Sequence, residues 1–269
     1  MKIRGNPLPR RLIDVLCFLL IGIFLPIVFV FEICVVLPAF HEAGGFWHTF
    51  TFLMAMFLVF NIKGNMIACM MIDTSVDVKQ PVDPKWQRYC SICERLAPPR
   101  SWHCKICKCC ILKRDHHCLY TGCCIGYLNH RYFMCFIFYL FVGATYALVY
   151  NSIYMWILQY HVYGTWLTLL KLICPMLMFV TGNLWTNMFL LFYSLNILAL
   201  LYGILLLGYH VPIVLSGQVS AHRKSREYDN GWLMNLKTVF GERWRLAWLS
   251  PLIRSDLPDN GYNWMTKSE

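Results

Sequence analysis

Charge is what this sequence has least of. Asp, Glu, Lys and Arg together make up 14% of its 269 residues, well under the ~25% usual in a soluble domain. That scarcity excludes a disordered chain, which needs charge to stay solvated, and a soluble globular enzyme, which needs charge to cover its surface. Acidic residues are fewest, 14 against 24 Lys and Arg, so the net charge is +10. Missing too is a short apolar run ending in a small-residue cleavage site, so no removable signal peptide is expected. What is there instead is apolar: 58% hydrophobic, 16% aromatic, with a mean hydropathy of +0.49. The bilayer is the expected solvent, and the basic excess points first to anionic lipid headgroups or a phosphate-bearing substrate.

Four runs exceed the ~20 residues that cross a hydrocarbon core. They are Leu12 to Pro38, with Pro26 predicting a kink, then Phe46 to Met71, Tyr132 to Tyr160, and Leu184 to Tyr209, the last without a single Lys, Arg, Asp or Glu. A shorter apolar piece, Trp166 to Val180, contains Lys171 and Pro175 and is predicted not to span. Every Lys and Arg except Lys63 and Lys171 falls before residue 12, between 74 and 131, or after 215. Such enrichment marks the cytosolic side, so an even four spans with both termini in the cytosol is expected. The organisation that follows is a cytosolic N-terminus (1–11), helices 1 and 2 (12–71), a cytosolic cysteine-rich domain (72–131), helices 3 and 4 (132–215) and a cytosolic tail (216–269). The aromatics of span three, Tyr132, Phe133, Phe136, Phe138, Tyr139 and Phe141, are expected to face lipid by default. Lys63, between Asn61 and Asn65, is expected to snorkel or to bond between helices.

Nine of the fourteen cysteines lie between Cys90 and Cys124. In a reducing cytosol such density argues for metal or catalysis rather than disulfides. The segment runs Cys90-x2-Cys93-x9-His103-Cys104-x2-Cys107-x2-Cys110-x6-His117-Cys118-x5-Cys124. Two Cys-x2-Cys knuckles with further Cys and His supply ligands for two tetrahedral zinc sites. With Pro98-Pro99 and many basic residues the loop has little apolar core, so metal would supply folding energy. Spacing alone leaves open which half-sites pair. Two ions need eight ligands and the segment offers more, which singles out Asp115-His116-His117-Cys118: a thiol beside an imidazole that can take its proton, and a carboxylate that can orient the imidazole. On spacing alone, all four residues could equally belong to the metal shell.

Arg114-Asp115-His116-His117-Cys118 in this frame, between spans two and three and followed by Asn129-x3-Phe133, resembles the DHHC family of protein S-acyltransferases (palmitoyltransferases), in the manner of its divergent small members. The resemblance implies one structural zinc on Cys90, Cys93, His103 and Cys110 and another on Cys104, Cys107, His117 and Cys124. It implies Cys118 as nucleophile, His116 as its base, and Asp115 as the group orienting His116; Cys109 and Cys123 are expected to be spare thiols. It further implies palmitoyl-CoA or another long-chain acyl-CoA as donor, and protein substrates with membrane-proximal cytosolic cysteines as acceptors. Membrane lipids are expected around the spans, and the resemblance implies an endomembrane setting, Golgi or endoplasmic reticulum. Each buried CH2 of the acyl tail would contribute ~0.8 kcal/mol. Arg88, Arg100, Lys113, Arg114 and Arg131 make the loop positive toward CoA phosphates, although the cytosolic bias alone would place them there.

Several family features are altered. Leu119-Tyr120 stand in place of Pro-Trp, Gly122 and Cys123 in place of Asn residues, Asp73-Thr74-Ser75 in place of Asp-Pro-Gly, and Val219-Ser220-Ala221-His222 in place of Thr-Thr-x-Glu. Asn235 with Val239-Phe240-Gly241 retains the C-terminal motif. The competing reading is a catalytically weak or inactive zinc-bound membrane adaptor. No nucleic-acid partner is expected, because the basic, zinc-binding segment is a membrane loop without a recognition helix.

Overall fold

In the computed structural model, residues 2–86, 88–222 and 226–267 are described; Arg223 and Lys224, two of the basic tail residues counted above, lie outside the described residues. Four helices are long and apolar enough to cross a membrane: α1 (Leu12–Ala39), α2 (Phe46–Met71), α3 (His130–Leu158) and α5 (Leu184–Leu215). Between α3 and α5 comes α4 (Trp166–Ile173), eight residues followed by a 3-10 turn over Pro175–Phe179, too short to cross. The tail carries α6 (Trp232–Phe240). Span four runs past its expected end at Tyr209 because the helix continues through Pro212 to Leu215.

The chain forms two compact units. The first comprises Met1–Gly22, Asn61–Phe136 and Leu207–Glu269. It holds the cysteine-rich segment, folded as three antiparallel hairpins: β1 (Arg88–Cys90) with β2 (Arg95–Ala97), β3 (Trp102–Cys104) with β4 (Cys109–Ile111), and β5 (His116–Cys118) with β6 (Cys123–Ile125). Such short hairpins have too few apolar residues to be stable alone, and neighbouring segments hold them. Val76 N–H donates to Cys110 O at 2.8 Å and Leu112 N–H to Thr74 O at 2.9 Å. At the other end of this stretch, Asp73 pairs with Lys2 at 3.0 Å, and Arg4 N–H donates to Met71 O at 2.8 Å. The tail closes over the same segment: Val76, Cys110, Leu112 and Tyr127 pack with Leu257, Tyr262 and Trp264.

Three of the basic residues that make this loop positive are engaged by the tail. Arg100 donates to Gly217 O at 2.5 Å, with its guanidinium over Tyr228 and Trp264. Lys113, 1% exposed, reaches Thr238 O at 3.3 Å, and Arg131 reaches Ile253 O at 2.6 Å. A buried cation needs such acceptors, so tail docking is their structural task.

Lys63 does bond between helices. Pro26 has no N–H to offer the carbonyl four residues earlier, and α1 accordingly loosens into a π-helical turn at Leu20–Phe24. Lys63 Nζ caps the freed carbonyls of Ile21 and Gly22 at 3.0 and 2.5 Å.

The second unit comprises Ile23–Phe60 and Ile137–Leu206. Its core is aromatic: Phe31, Met155, Tyr163, Phe189, Phe192 and Tyr193 pack together, with Phe31 and Phe192 rings edge-on at 5.1 Å. Polar groups within it are paired, Asn151 Nδ2 with Glu32 at 2.5 Å and Lys171 Nζ with Asn187 Oδ1 at 2.8 Å. The lipid-facing expectation for span three is corrected for four of its six aromatics: Tyr132, Phe133, Phe136 and Tyr139 are buried, while Phe138 and Phe141 are half-buried. Such a charge-poor, aromatic helix reads the same whether lipid or protein covers it.

Candidate active site and metal centres

Each hairpin turns in the same way. Cys90, Cys104 and Cys118 end the outgoing strands at intervals of 14 residues, and the residue closing each turn, Glu94, Lys108 or Gly122, has φ of 51°, 57° or 58°. That repeat went unread in the sequence. Its signal is there, since Cys-Cys-Ile at 109–111 recurs at 123–125 and His-Cys at 103–104 recurs at 117–118.

The repeat explains how the ligands interleave. In the second and third hairpins the strand register pairs one His with one Cys, His103 with Cys110 and His117 with Cys124. Cys90 and Cys93 from the first turn meet His103 and Cys110 of the second hairpin. Cys104 and Cys107 from the second turn meet His117 and Cys124 of the third. Within each set the ligand atoms all lie within 4.8 Å of one another. Cys93 Sγ is 3.3 Å from His103 Nδ1 and 3.7 Å from Cys110 Sγ, and His117 Nδ1 is 3.8, 3.4 and 3.8 Å from the sulfurs of Cys104, Cys107 and Cys124. A tetrahedral zinc with Zn–S of ~2.3 Å and Zn–N of ~2.0–2.1 Å sets S–S edges near ~3.8 Å and S–N edges near ~3.6 Å. The two Cys3His sets therefore fit zinc in both donor chemistry and size.

The third turn is different. Cys118 holds the first-knuckle position, but Thr121 stands where Cys93 and Cys107 stand in the other turns, and among the described residues no further hairpin follows to complete a ligand set. Successive side chains of a strand point to opposite faces. In β5 this sends His117 to the second metal set and leaves His116 and Cys118 together on the other face.

On that face His116 Nδ1 donates to Asp115 Oδ2 at 2.7 Å. Asp115, 2% exposed, also accepts from Ser220 N–H at 2.7 Å and Ser220 Oγ at 3.0 Å, and His210 Nδ1 lies 3.5 Å from its Oδ2. Burial opposes the Asp115 charge, yet the His116 bond and the imidazoles of His130, His116 and His210 hold its carboxyl well below the usual range. Burial likewise disfavours an imidazolium at His116, but its bonds to Asp115 and Cys118 carry it up to about 9. For Cys118, burial pushes the thiol up, and the His116 bond and charge, with hydrogen bonds from Thr121, more than reverse it. The neighbouring thiols behave oppositely: burial pushes Cys109 and Cys123 each up to about 11. A thiol that ionises beside an imidazolium is what nucleophilic chemistry requires.

Phe133 of the Asn129-x3-Phe133 pair sits edge-on to His116, centroids 4.8 Å apart, and to His210 at 4.9 Å. Asn129 ties the hairpin to α2, donating to Cys124 O at 3.0 Å and Cys69 O at 3.1 Å. The sequence missed His210 and Ser220. His210 lies just beyond the expected end of span four, and Ser220 falls in the stretch that lacks Thr-Thr-x-Glu yet delivers a hydroxyl and an N–H to the carboxylate.

Comparison with known proteins decides the family. A family model for the DHHC palmitoyltransferases matches residues 84–227. The chain belongs to the DHHC palmitoyltransferase family. Probable palmitoyltransferase ZDHHC24 of Danio rerio is 38% identical over 65% of this chain and 61% of its own length. The proteins of the same name from Rattus norvegicus and Homo sapiens are 33% and 32% identical over 80% of this chain and 78% of theirs. The match thus spans about three fifths of the zebrafish relative. The matched stretch of this DHHC protein contains both metal sets, the Asp115-His116-Cys118 group and Ser220.

Proposed function

We propose that this DHHC protein transfers a long fatty acyl group, palmitoyl among them, from acyl-CoA through a Cys118 thioester to cysteines of membrane-associated proteins. The observation that carries the reading is the division of β5 into two faces, His117 toward the Cys104, Cys107 and Cys124 thiols and His116 with Cys118 away from them.

His116 Nε2 takes the Cys118 proton and the sulfur attacks the thioester carbonyl. The carbonyl carbon gains a bond to Cys118 Sγ and loses its bond to the CoA sulfur, which leaves with the proton from His116. A substrate thiol then gives its proton to His116, attacks the Cys118 thioester and releases Cys118. Both exchanges replace one thioester by another, so neither needs an outside energy source. Asp115 keeps His116 oriented and stabilises its charged form, and Ser220 keeps Asp115. Two zinc ions, one in each Cys3His set, supply rigidity by cross-linking successive hairpins. The basic flanks favour a cytosolic face for this chemistry, on an endomembrane, with both termini on the same side.

Purified protein incubated with labelled palmitoyl-CoA is expected to retain hydroxylamine-sensitive label; no label from wild type would leave the zinc-bound adaptor in its place. A glycosylation acceptor inserted after Gly44 is expected to be modified and one at either terminus is not, whereas a modified C-terminal tag would break the four-span topology.

A further inference from the structure

Asp14 reads in the sequence as a stray charge at the start of span one. It lies in the first turn of α1 and is 1% exposed. Its Oδ2 faces His117 Nε2 at 3.4 Å, and its Oδ1 has no hydrogen-bond partner among the described residues. A carboxylate buried at this depth is costly unless something compensates it. The N-terminal end of α1 offers part of that compensation through its unpaired N–H groups, and the imidazole of His117 offers the rest.

The geometry of His117 shows what the contact does. Its Nδ1 points at three thiols, while its Nε2 points at Asp14. A histidine that ligates through one nitrogen needs its proton on the other, and an acceptor there fixes both the tautomer and the ring orientation. We propose that Asp14 is the outer carboxylate of the second metal centre, accepting the Nε2–H of His117 so that Nδ1 is presented to zinc. A residue of the first spanning helix thereby becomes part of a metal site in the cysteine-rich segment. The inference rests on the reading of Cys104, Cys107, His117 and Cys124 as a zinc site. It goes beyond that reading by adding a supporting residue from 90 positions upstream of the nearest of these ligands. Because His117 precedes Cys118 in β5, anchoring its ring also anchors the strand that carries the nucleophile.

Outer partners of this kind are worth ~10–100-fold in metal affinity. The test is zinc release from full-length protein in detergent, measured as transfer to a chromophoric chelator. A pulse of thiol alkylation read by mass spectrometry shows which cysteines are freed first. Wild type is expected to contain two zinc ions. In Asp14→Asn and Asp14→Ala one ion should leave ~10-fold faster or more, with Cys104, Cys107 and Cys124 alkylated early and Cys90, Cys93 and Cys110 at the wild-type rate. Asp14→Glu, which keeps the carboxylate, should recover part of the difference. If Asp14→Ala does not accumulate, the near-isosteric Asp14→Asn gives the same reading. Wild-type release from both variants, or equal acceleration at both sites, would overturn the assignment of Asp14. A wild type whose Cys104, Cys107 and Cys124 hold no zinc would overturn the underlying metal site, and the two failures are told apart by the stoichiometry.

Discussion

The second and third hairpins are built on one plan and give the same residue opposite surroundings. Cys104 and Cys118 occupy equivalent positions, each ending a strand before a four-residue turn closed by a left-handed residue. Cys104 has Cys107 in its turn and a following hairpin that brings His117 and Cys124. Cys118 has Thr121 in its turn and a helix following. On the proposed reading, a metal-binding loop becomes a nucleophile's loop when its second thiol is replaced and its partner hairpin removed. The N–H and hydroxyl groups that steady a thiolate remain.

The largest effects should come from the two equivalent cysteines. Cys118→Ser is expected to lose all thioester label yet keep two zinc ions and a normal melting profile. Cys104→Ser is expected to lose label together with one zinc and much of its expression. If elemental analysis gave both variants the same metal content, the division between the hairpins would fail.

A second contrast lies within β5. His117→Ala should lose metal, whereas His116→Ala should keep both ions and acylate on the order of 10²-fold more slowly, the usual loss for a general base. The pH profile sharpens this contrast. In the folded protein the Cys118 thiol lies below its ordinary value because His116, raised to about 9, faces it. The acylation rate should therefore hold at neutral pH and fall only as acid protonates the thiolate. In His116→Ala the acid limb should move upward toward the ordinary thiol range of ~8.5, and an unmoved limb would remove His116 from the role of base.

The turns differ in their neighbours. Glu94 and Lys108 carry side chains at positive φ, while Gly122, at φ 58°, has Pro9 so close that an added Cβ would lie 2.5 Å from the proline Cβ. Gly122→Ala should thus destabilise by more than the ~1–2 kcal/mol of left-handed strain alone, read as a lowered Tm. Lys108→Gly should be neutral or stabilising at the corresponding turn. Among the variants expected to lower acylation, the smallest effect is that of Ser220→Ala. It removes one hydroxyl donor from Asp115 but leaves the backbone N–H, so label incorporation should slow about 5-fold, for a net ~1 kcal/mol hydrogen bond.

The parts of the molecule legible in the sequence were those whose signal is local. Spans announce themselves by length and lack of charge, and the metal knuckles by two-residue gaps. The interleaved pairing came from resemblance, and its physical origin, the strand register joining His103 to Cys110 and His117 to Cys124, is visible only once the hairpins are drawn. Asp14, His210 and Ser220 were not legible as parts of the site. Each stands between 95 and 105 residues from the group it touches, and no local pattern marks such a contact. The buried face of α3 was misjudged for a related reason: in a charge-poor helix, composition does not say which side meets lipid.

The attachments of the cysteine-rich segment set where the protein can be cut. Lys2 and Arg4 are bonded to residues at the end of α2 and just beyond it. Ser220 grips Asp115, and Trp264 lies against Tyr127 with ring centroids 5.3 Å apart. A fragment ending at the last metal ligand would keep every ligand and the whole four-residue signature, yet the Asp115 carboxylate would have lost the hydroxyl and N–H that hold it. The smallest piece able to perform the proposed transfer is accordingly set by the tail and the amino-terminal residues, and a soluble domain excised around the signature should bind metal without transferring acyl groups.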